Sequence, residues 1–191
     1  MFECLLRAAG YRGSVDAFSA RQGHYPASFD AYNAVLLTGS RGDSFSDDPW
    51  VVDLCERFSA LLAQGQRLIS VCFGHQLIAH CLVTRVGRAP QGWGFARPVW
   101  DLHGPAEFAD AQGTLALLAS NAHCPIAAYI IDQQVLCVQP NPEFDAAYCR
   151  VLLDKRRALF GETVYQDLMD SLVQGHDGAH FGFFLRRLIE Q

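Results

Sequence analysis

The feature that most constrains this chain is a change of hydrophobic period across residues 68–81. Leu68-Ile69-Ser70-Val71 is a compact apolar run of the kind that forms a strand covered on both faces, and we place that strand at 67–71. From Gly74 to Cys81 the apolar residues recur at helical spacing. Almost nothing separates the two, so the backbone must turn sharply at Cys72. Gly74, with no side chain, lets another backbone come close. A residue at such a strand-to-helix corner is pushed up out of the sheet, as in a nucleophile elbow.

The same logic organises the rest of the chain. Residues 1–9 have helical spacing, with Phe2, Leu5, Leu6 and Ala9 on one side and Gly10 as a stop. Ser14–Phe18 alternates and predicts a short strand. Ala34–Leu37 predicts a buried strand ending in the loop Thr38-Gly39-Ser40-Arg41-Gly42-Asp43. Asp47-Asp48-Pro49-Trp50 opens a helix: acids suit its exposed N–H groups, and proline is tolerated in the first turn. Val51, Leu54, Phe58, Leu61 and Leu62 carry it to Ala63, with Gly65 as cap. Residues 126–131 and 135–138 predict two strands around Asp132-Gln133-Gln134, and 145–160, 162–174 and 181–190 predict helices. Buried strands alternating with helices imply an α/β domain with a largely parallel sheet. Ligands of such sheets bind beyond the carboxyl ends of the strands, where the 38–43 loop and Cys72 both fall.

Length and composition narrow the function. A chain of 191 residues suits one domain, here taken as 1–191, and half apolar with 18% charged residues is an ordinary globule. A net charge of −5 gives no electrostatic reason to expect nucleic acid or an anionic membrane as partner. No apolar run reaches the length of a membrane span, and MFECLLRAAGYRG lacks the pattern of a signal peptide. The seven cysteines include no Cys-x-x-Cys pair, so no metal site is supported, and they read as small core residues in a reducing cytoplasm.

Cys72 is the exception. The helix that starts beside it aims free N–H groups and a positive dipole end at the sulfur, favouring the thiolate. The Phe73 N–H points at any oxyanion formed by its attack, and the Gly39 backbone offers a second donor. Read from Cys-x-Gly-x-Gln alone, a core cysteine beside a glycine remains an equal alternative.

Five segments, in order, resemble the class I glutamine amidotransferases. SVCFGHQLIAH is similar to their nucleophile segment, Gly-x-Cys-x-Gly-x-Gln, and YNAVLLTGSRGDSFSDDPWVVDL to their oxyanion-loop segment. RVGRAPQGWGF resembles the stretch after the nucleophile helix, LHGPAEFADAQGTLALLASNAHCP the stretch before the last strands, and LCVQPNPEFD the terminal His-Pro-Glu motif. The branch most similar is the stand-alone one that includes GMP-synthase-like amidotransferases and plant γ-glutamyl peptidases. The resemblance implies a flavodoxin-like three-layer sandwich with a mostly parallel central sheet. It implies Cys72 as nucleophile on the γ-carbonyl of glutamine or another γ-glutamyl amide, with Gly39 and Phe73 as oxyanion donors. Gln76, Gly74, Ser40 and His103 would be substrate-binding, Gln76 also supporting the elbow and His103 shaping the site wall, with Glu143 orienting a catalytic histidine. No metal or organic cofactor is implied.

The sequence departs from that pattern where it matters most. Asn141 stands at the histidine position of the His-Pro-Glu motif, and an amide neither takes nor returns a proton near neutral pH. Either the chain is an altered or natural non-catalytic variant, or another histidine, such as His176 or His180, substitutes. The remaining histidines near the elbow have local roles: His75 hydrogen-bonds nearby, and His80 packs against the far end of its helix. Ser70 replaces a glycine before the nucleophile, Val83-Thr84 replaces a glycine pair, and about twenty family residues are skipped between Val99 and His103. The sequence as given opens inside the helix that follows the family's first strand, so the resemblance leaves that strand without a counterpart among these residues.

Two classes of function follow: Cys72-dependent hydrolysis or transfer at a γ-glutamyl amide, or a binding protein that keeps the pocket without turnover. A Cys-dependent protease-like or chaperone-like relative is a third. The enzyme reading admits a separate synthase subunit that accepts ammonia, and leaves oligomerisation open.

Overall fold

The computed structural model describes residues 1–82, 86–87, 101–110, 113–120, 124–174 and 178–191. Its contacts fall into two units, one of residues 14–92 and 100–141 and one of residues 1–13, 93–99 and 142–191.

The first unit holds the sheet: β1 (Val35–Leu37), β2 (Leu68–Val71), β3 (Asp101–Asp110), β4 (Gly113–Ser120), β5 (Ala128–Ile131) and β6 (Val135–Val138), in the order β1-β2-β6-β5-β4-β3. β1, β2 and β6 run parallel, with Leu68 opposite both Val35 and Val135. The β6–β5, β5–β4 and β4–β3 pairings are antiparallel. Asp132 and Gln133 take φ of 48° and 60° to reverse the chain between β5 and β6, and the Gln134 N–H donates to the Ile131 carbonyl at 2.9 Å. Asp and Gln carry the left-handed conformation at a modest cost that glycine would avoid.

All of β2 and β6 is buried, because both lie inside the sheet. The helices α2 (Pro49–Ala63) and α3 (Phe73–Cys81) supply the rest of this core: Val51, Leu54, Phe58 and Leu61 from α2, and Phe73, Leu77 and Ile78 from α3. Helical spacing puts each set on one stripe, and burying a Leu, Ile or Phe contributes roughly 1.5–3 kcal/mol. Asp48 is the N-cap of α2 and Pro49 its first residue, as the sequence predicts. Ser70 is fully buried, and its hydroxyl finds no hydrogen-bond partner among the described residues.

The second unit is helical: α1 (Phe2–Ala8), α4 (Ala146–Phe160), α5 (Glu162–Ser171) and α6 (Gly178–Ile189). Gly10, at φ 88°, ends the turn after α1, and the Arg186 guanidinium of α6 donates to the Ala9 carbonyl at 3.1 Å. Asp145 caps α4 by accepting from the Tyr148 N–H at 2.7 Å. Gly161, at φ 75°, separates α4 from α5, and Tyr165 ties them by donating to Asp154 at 2.6 Å.

Three expectations are corrected. Ser14–Phe18 forms no strand; it is an irregular segment, with Tyr32 donating to Asp16 at 2.9 Å and its ring set edge-on to Phe18. Cys55 on α2 and Cys81 on α3 are not separate core thiols but a disulfide pair, with Cα atoms 5.7 Å apart. His80 is exposed on α3 instead of packed at its end. Val83-Thr84, His176 and the segment 88–100 lie outside the described residues. No described helix is long and apolar enough to cross a membrane.

Candidate active site

Cys72 is the last residue before α3, and its backbone sits at φ 54°, ψ −103°. Few non-glycine residues occupy that region, and holding one there costs on the order of 1–3 kcal/mol. Strand pairing on one side and core packing on the other enforce it. The Cys72 N–H donates to the Val138 carbonyl of β6 at 2.8 Å, so the corner is still tied to the sheet. Immediately after it, Phe73 is buried and stacks on Trp50 of α2, with ring centroids 5.3 Å apart. As the first residue of α3, Phe73 has an N–H with no intrahelical acceptor, the donor an oxyanion needs.

Gly74 performs the close approach that its position implies. A Cβ there would stand 2.8 Å from the Leu37 carbonyl oxygen and 3.0 Å from Leu37 Cγ, so only glycine lets α3 start against the end of β1. Gly39, two residues beyond β1, does the same on the open side of the site. Its Cβ would stand 3.0 Å from Asn141 Oδ1 and 3.6 Å from Cys72 Cβ. The ends of β1, β2 and β6 therefore bring Gly39, Cys72 and Asn141 to one place, beyond the carboxyl ends of three parallel strands. Asn141 delivers an amide to this corner where an acid-base mechanism needs an imidazole.

Behind the sulfur runs a polar chain. Ser44, fully buried, donates to Gln76 Oε1 at 3.4 Å; Gln76 Nε2 donates to Gln139 Oε1 at 3.0 Å; and Gln139 Nε2 donates to Cys72 Sγ at 3.8 Å. Gln76 was singled out in the sequence, but Ser44 and Gln139 were not. Ser40 is exposed, and its Oγ accepts from the Gly42 N–H at 3.3 Å, so in this structure it shapes its own loop.

Two titratable groups are displaced from their ordinary range. Burial lowers His75 from 6.5 to about 4, only partly opposed by a hydrogen bond to the Cys137 backbone. Its ring lies 4.9 Å from that of Tyr129, and its Nδ1 has no partner among the described residues, so it is a neutral structural imidazole. Burial also pushes the Glu143 carboxyl up to about 7, against its own backbone N–H and the chain's amino terminus. Glu143 Oε2 is buried without a hydrogen-bond partner among the described residues. Glu143 belongs to the helical unit with α4, and His180 is exposed on α6 of that unit. His103 falls on β3. No group of His, Cys, Asp and Glu capable of holding a metal occurs among the described residues.

No family model matches the chain. Among proteins of known name, it is 24% identical over 178 residues to γ-glutamyl peptidase 2 of Arabidopsis thaliana, covering 81% of this chain and 72% of that one. It is 26% identical over 166 residues to γ-glutamyl peptidase 3 of the same plant, covering 73% and 67%. Among solved structures, a glutamine amidotransferase from Thermotoga maritima superposes with a TM-score of 0.70 at 14% identity, covering 100% of this chain and 92% of that one. That likeness establishes an α/β amidotransferase-type fold.

Proposed function

For a chain that belongs to the class I glutamine amidotransferase-like family and is homologous to the γ-glutamyl peptidases, we propose Cys72-dependent cleavage of a γ-glutamyl amide. The observation that carries the reading is the convergence of Gly39 on a cysteine held at positive φ at the head of α3. In the proposed reaction the Cys72 thiolate attacks the γ-carbonyl carbon. The oxyanion is held by the N–H groups of Phe73 and Gly39. The C–N bond breaks, its nitrogen takes a proton from solvent water, the amine or ammonia leaves, and a γ-glutamyl thioester remains on sulfur. Water then attacks the thioester, releases the γ-carboxylate and returns the thiol. Glutamine and γ-glutamyl peptides share the atoms this requires, and an ammonia-accepting partner subunit is compatible with the first. Glu143 corresponds by its place after Pro142 to the family's orienting acid, and burial pushes its carboxyl up to about 7.

One observation favours a second reading, a binding protein with suppressed turnover: Asn141 places its Oδ1 against Gly39 and offers neither base nor acid. The test is turnover of glutamine and of a γ-glutamyl dipeptide by the natural chain and by Asn141→His. Gain of hydrolysis on restoring the imidazole supports the enzymatic reading. Equal inactivity of both folded proteins favours the binding reading.

A further inference from the structure

Resting on that reading, we propose that Gln139 is a positioning residue for the nucleophile, its side-chain amide directed at Cys72 Sγ by a relay that starts at Ser44. The relay has a direction. Ser44 Oγ donates to Gln76 Oε1, Gln76 Nε2 donates to Gln139 Oε1, and Gln139 Nε2 donates to the sulfur. Once Gln76 donates to the carbonyl end of the Gln139 amide, the amino end is the one left facing Cys72. A thiolate only accepts hydrogen bonds, so this orientation matches the reactive form of the cysteine and opposes the reverse arrangement.

The backbone fixes both ends of the device. The Gln139 N–H donates to the Ala127 carbonyl at 2.8 Å, and the Cys72 N–H donates to Val138 at 2.8 Å, so the two residues stand side by side at the end of the sheet. Gln76 sits one turn into α3, below the nucleophile, and Ser44 is fully buried in the loop between β1 and α2. Two segments, the loop after β1 and the first turn of α3, thus orient the one amide that reaches the sulfur. In an enzyme with a catalytic imidazole, that ring holds the thiolate. Here Asn141 stands in its place, and the Gln139 amide supplies a neutral donor that needs no proton exchange.

The titratable groups on the neighbouring elements leave the pH response of Cys72 readable. His75 on α3 is neutral above about 4, and burial pushes the Cys137 thiol of β6 up to about 12. The loop after β1 contributes Arg41 and Asp43.

The experiment is the rate of Cys72 alkylation by iodoacetamide against pH, read by peptide mapping, in the natural chain, Gln139→Leu, Gln139→Glu and Gln76→Leu. Losing a donor to a charged acceptor should slow alkylation at pH 7 by about tenfold in Gln139→Leu and move the profile to higher pH. Gln139→Glu has nearly the same shape but faces the sulfur with acceptors, so it should move the profile at least as far. Gln76→Leu should give a smaller shift, because it frees the amide to rotate. Profiles of Gln139→Leu and Gln139→Glu that coincide with the natural one, in proteins that unfold at the same temperature, would overturn the proposal. If Leu disrupts folding, Gln139→Met decides, since it keeps the length of the side chain and removes the donor without adding the charge that by itself disfavours a thiolate. A Gln139-dependent profile without any γ-glutamyl adduct would leave this inference standing and refute the proposed function. An adduct that forms whatever stands at 139 would do the reverse.

Discussion

Gly74→Ala should destabilise the protein and disturb the nucleophile at once. The added methyl would lie 2.8 Å from the Leu37 carbonyl oxygen, 3.0 Å from Leu37 Cγ and 3.1 Å from Leu37 Cβ. Carbon and carbonyl oxygen ordinarily meet no closer than about 3.3 Å, so α3 must retreat by roughly half an ångström. Leu37 belongs to β1, which pairs with β2, and β2 is wholly buried, so the strand cannot move away instead. Overpacking of this kind costs roughly 1–3 kcal/mol, offset by up to about 1 kcal/mol of better helix propensity for alanine. The net loss of about 1–2 kcal/mol should lower the melting temperature by about 2–8 °C for a chain of this size. A half-ångström retreat also carries the first turn of α3, with Phe73 and Cys72, away from Gly39, and catalysis is sensitive on that scale. Thermal unfolding followed by circular dichroism, with Cys72 alkylation measured in parallel, reads both effects. Gly87→Ala is the control, since no described residue lies within 4 Å of the Cβ it would add. A Gly74→Ala protein that melts at or above the natural temperature would refute the steric argument.

The remaining predictions concern the two histidine positions. Asn141→His should raise hydrolysis by about 10²–10⁴-fold and make it fall off below about pH 6.5, as an imidazole base protonates; steady-state rates against pH check both. His75 is depressed to about 4 in the fold from 6.5, so between those values the unfolded chain binds more protons. Its contribution is complete above about 6.5 and is lost on acidification to about 4, a change of about 3 kcal/mol. Glu143, raised to about 7 from 4.5, works in the opposite direction, its effect fading in as pH rises. The difference in stability between the natural chain and His75→Phe cancels that term. Denaturant unfolding from pH 4 to 7.5 should show the variant gaining relative stability as pH falls, and a pH-independent difference would contradict the assignment.

Where local pattern and tertiary environment agree, the sequence was a sufficient guide. The run at 68–71 is buried as its pattern implies, and the helix from Pro49 and the corner at Cys72 fall where their periodicity places them, whereas the strand at 35–37 is only half-buried because it stands at the edge of the sheet. The strands β3 and β4 were not legible. Asp101–Asp110 has Gly104-Pro105 in its middle, which reads as a break, and the structure absorbs it as a shift of register between Leu102 and Ala106. Gly113–Ser120 is rich in Ala and Leu, residues that propensity assigns to helices, and only its antiparallel partners on both sides make it a strand. At the site, Cys72 and Gly74 could be found because each answers to a local demand of the turn, and Gly39 because it lies in the loop after a strand, whereas Gln76 was reached only through the family resemblance. Gln139 and Ser44 could not, because their role depends on segments that meet only in three dimensions. The Cys55–Cys81 pair escaped for the same reason, being 26 residues apart on different helices.

The central claim is that Cys72 attacks the γ-carbonyl of a γ-glutamyl amide. Its most direct test is the intact mass of the natural protein after incubation with glutamine or a γ-glutamyl peptide, followed by peptide mapping. The account predicts a γ-glutamyl adduct on the peptide containing Cys72, persisting because Asn141 does not speed its hydrolysis and absent from Cys72→Ala. An unmodified Cys72 with both substrates, in the natural chain and in Asn141→His alike, would contradict it.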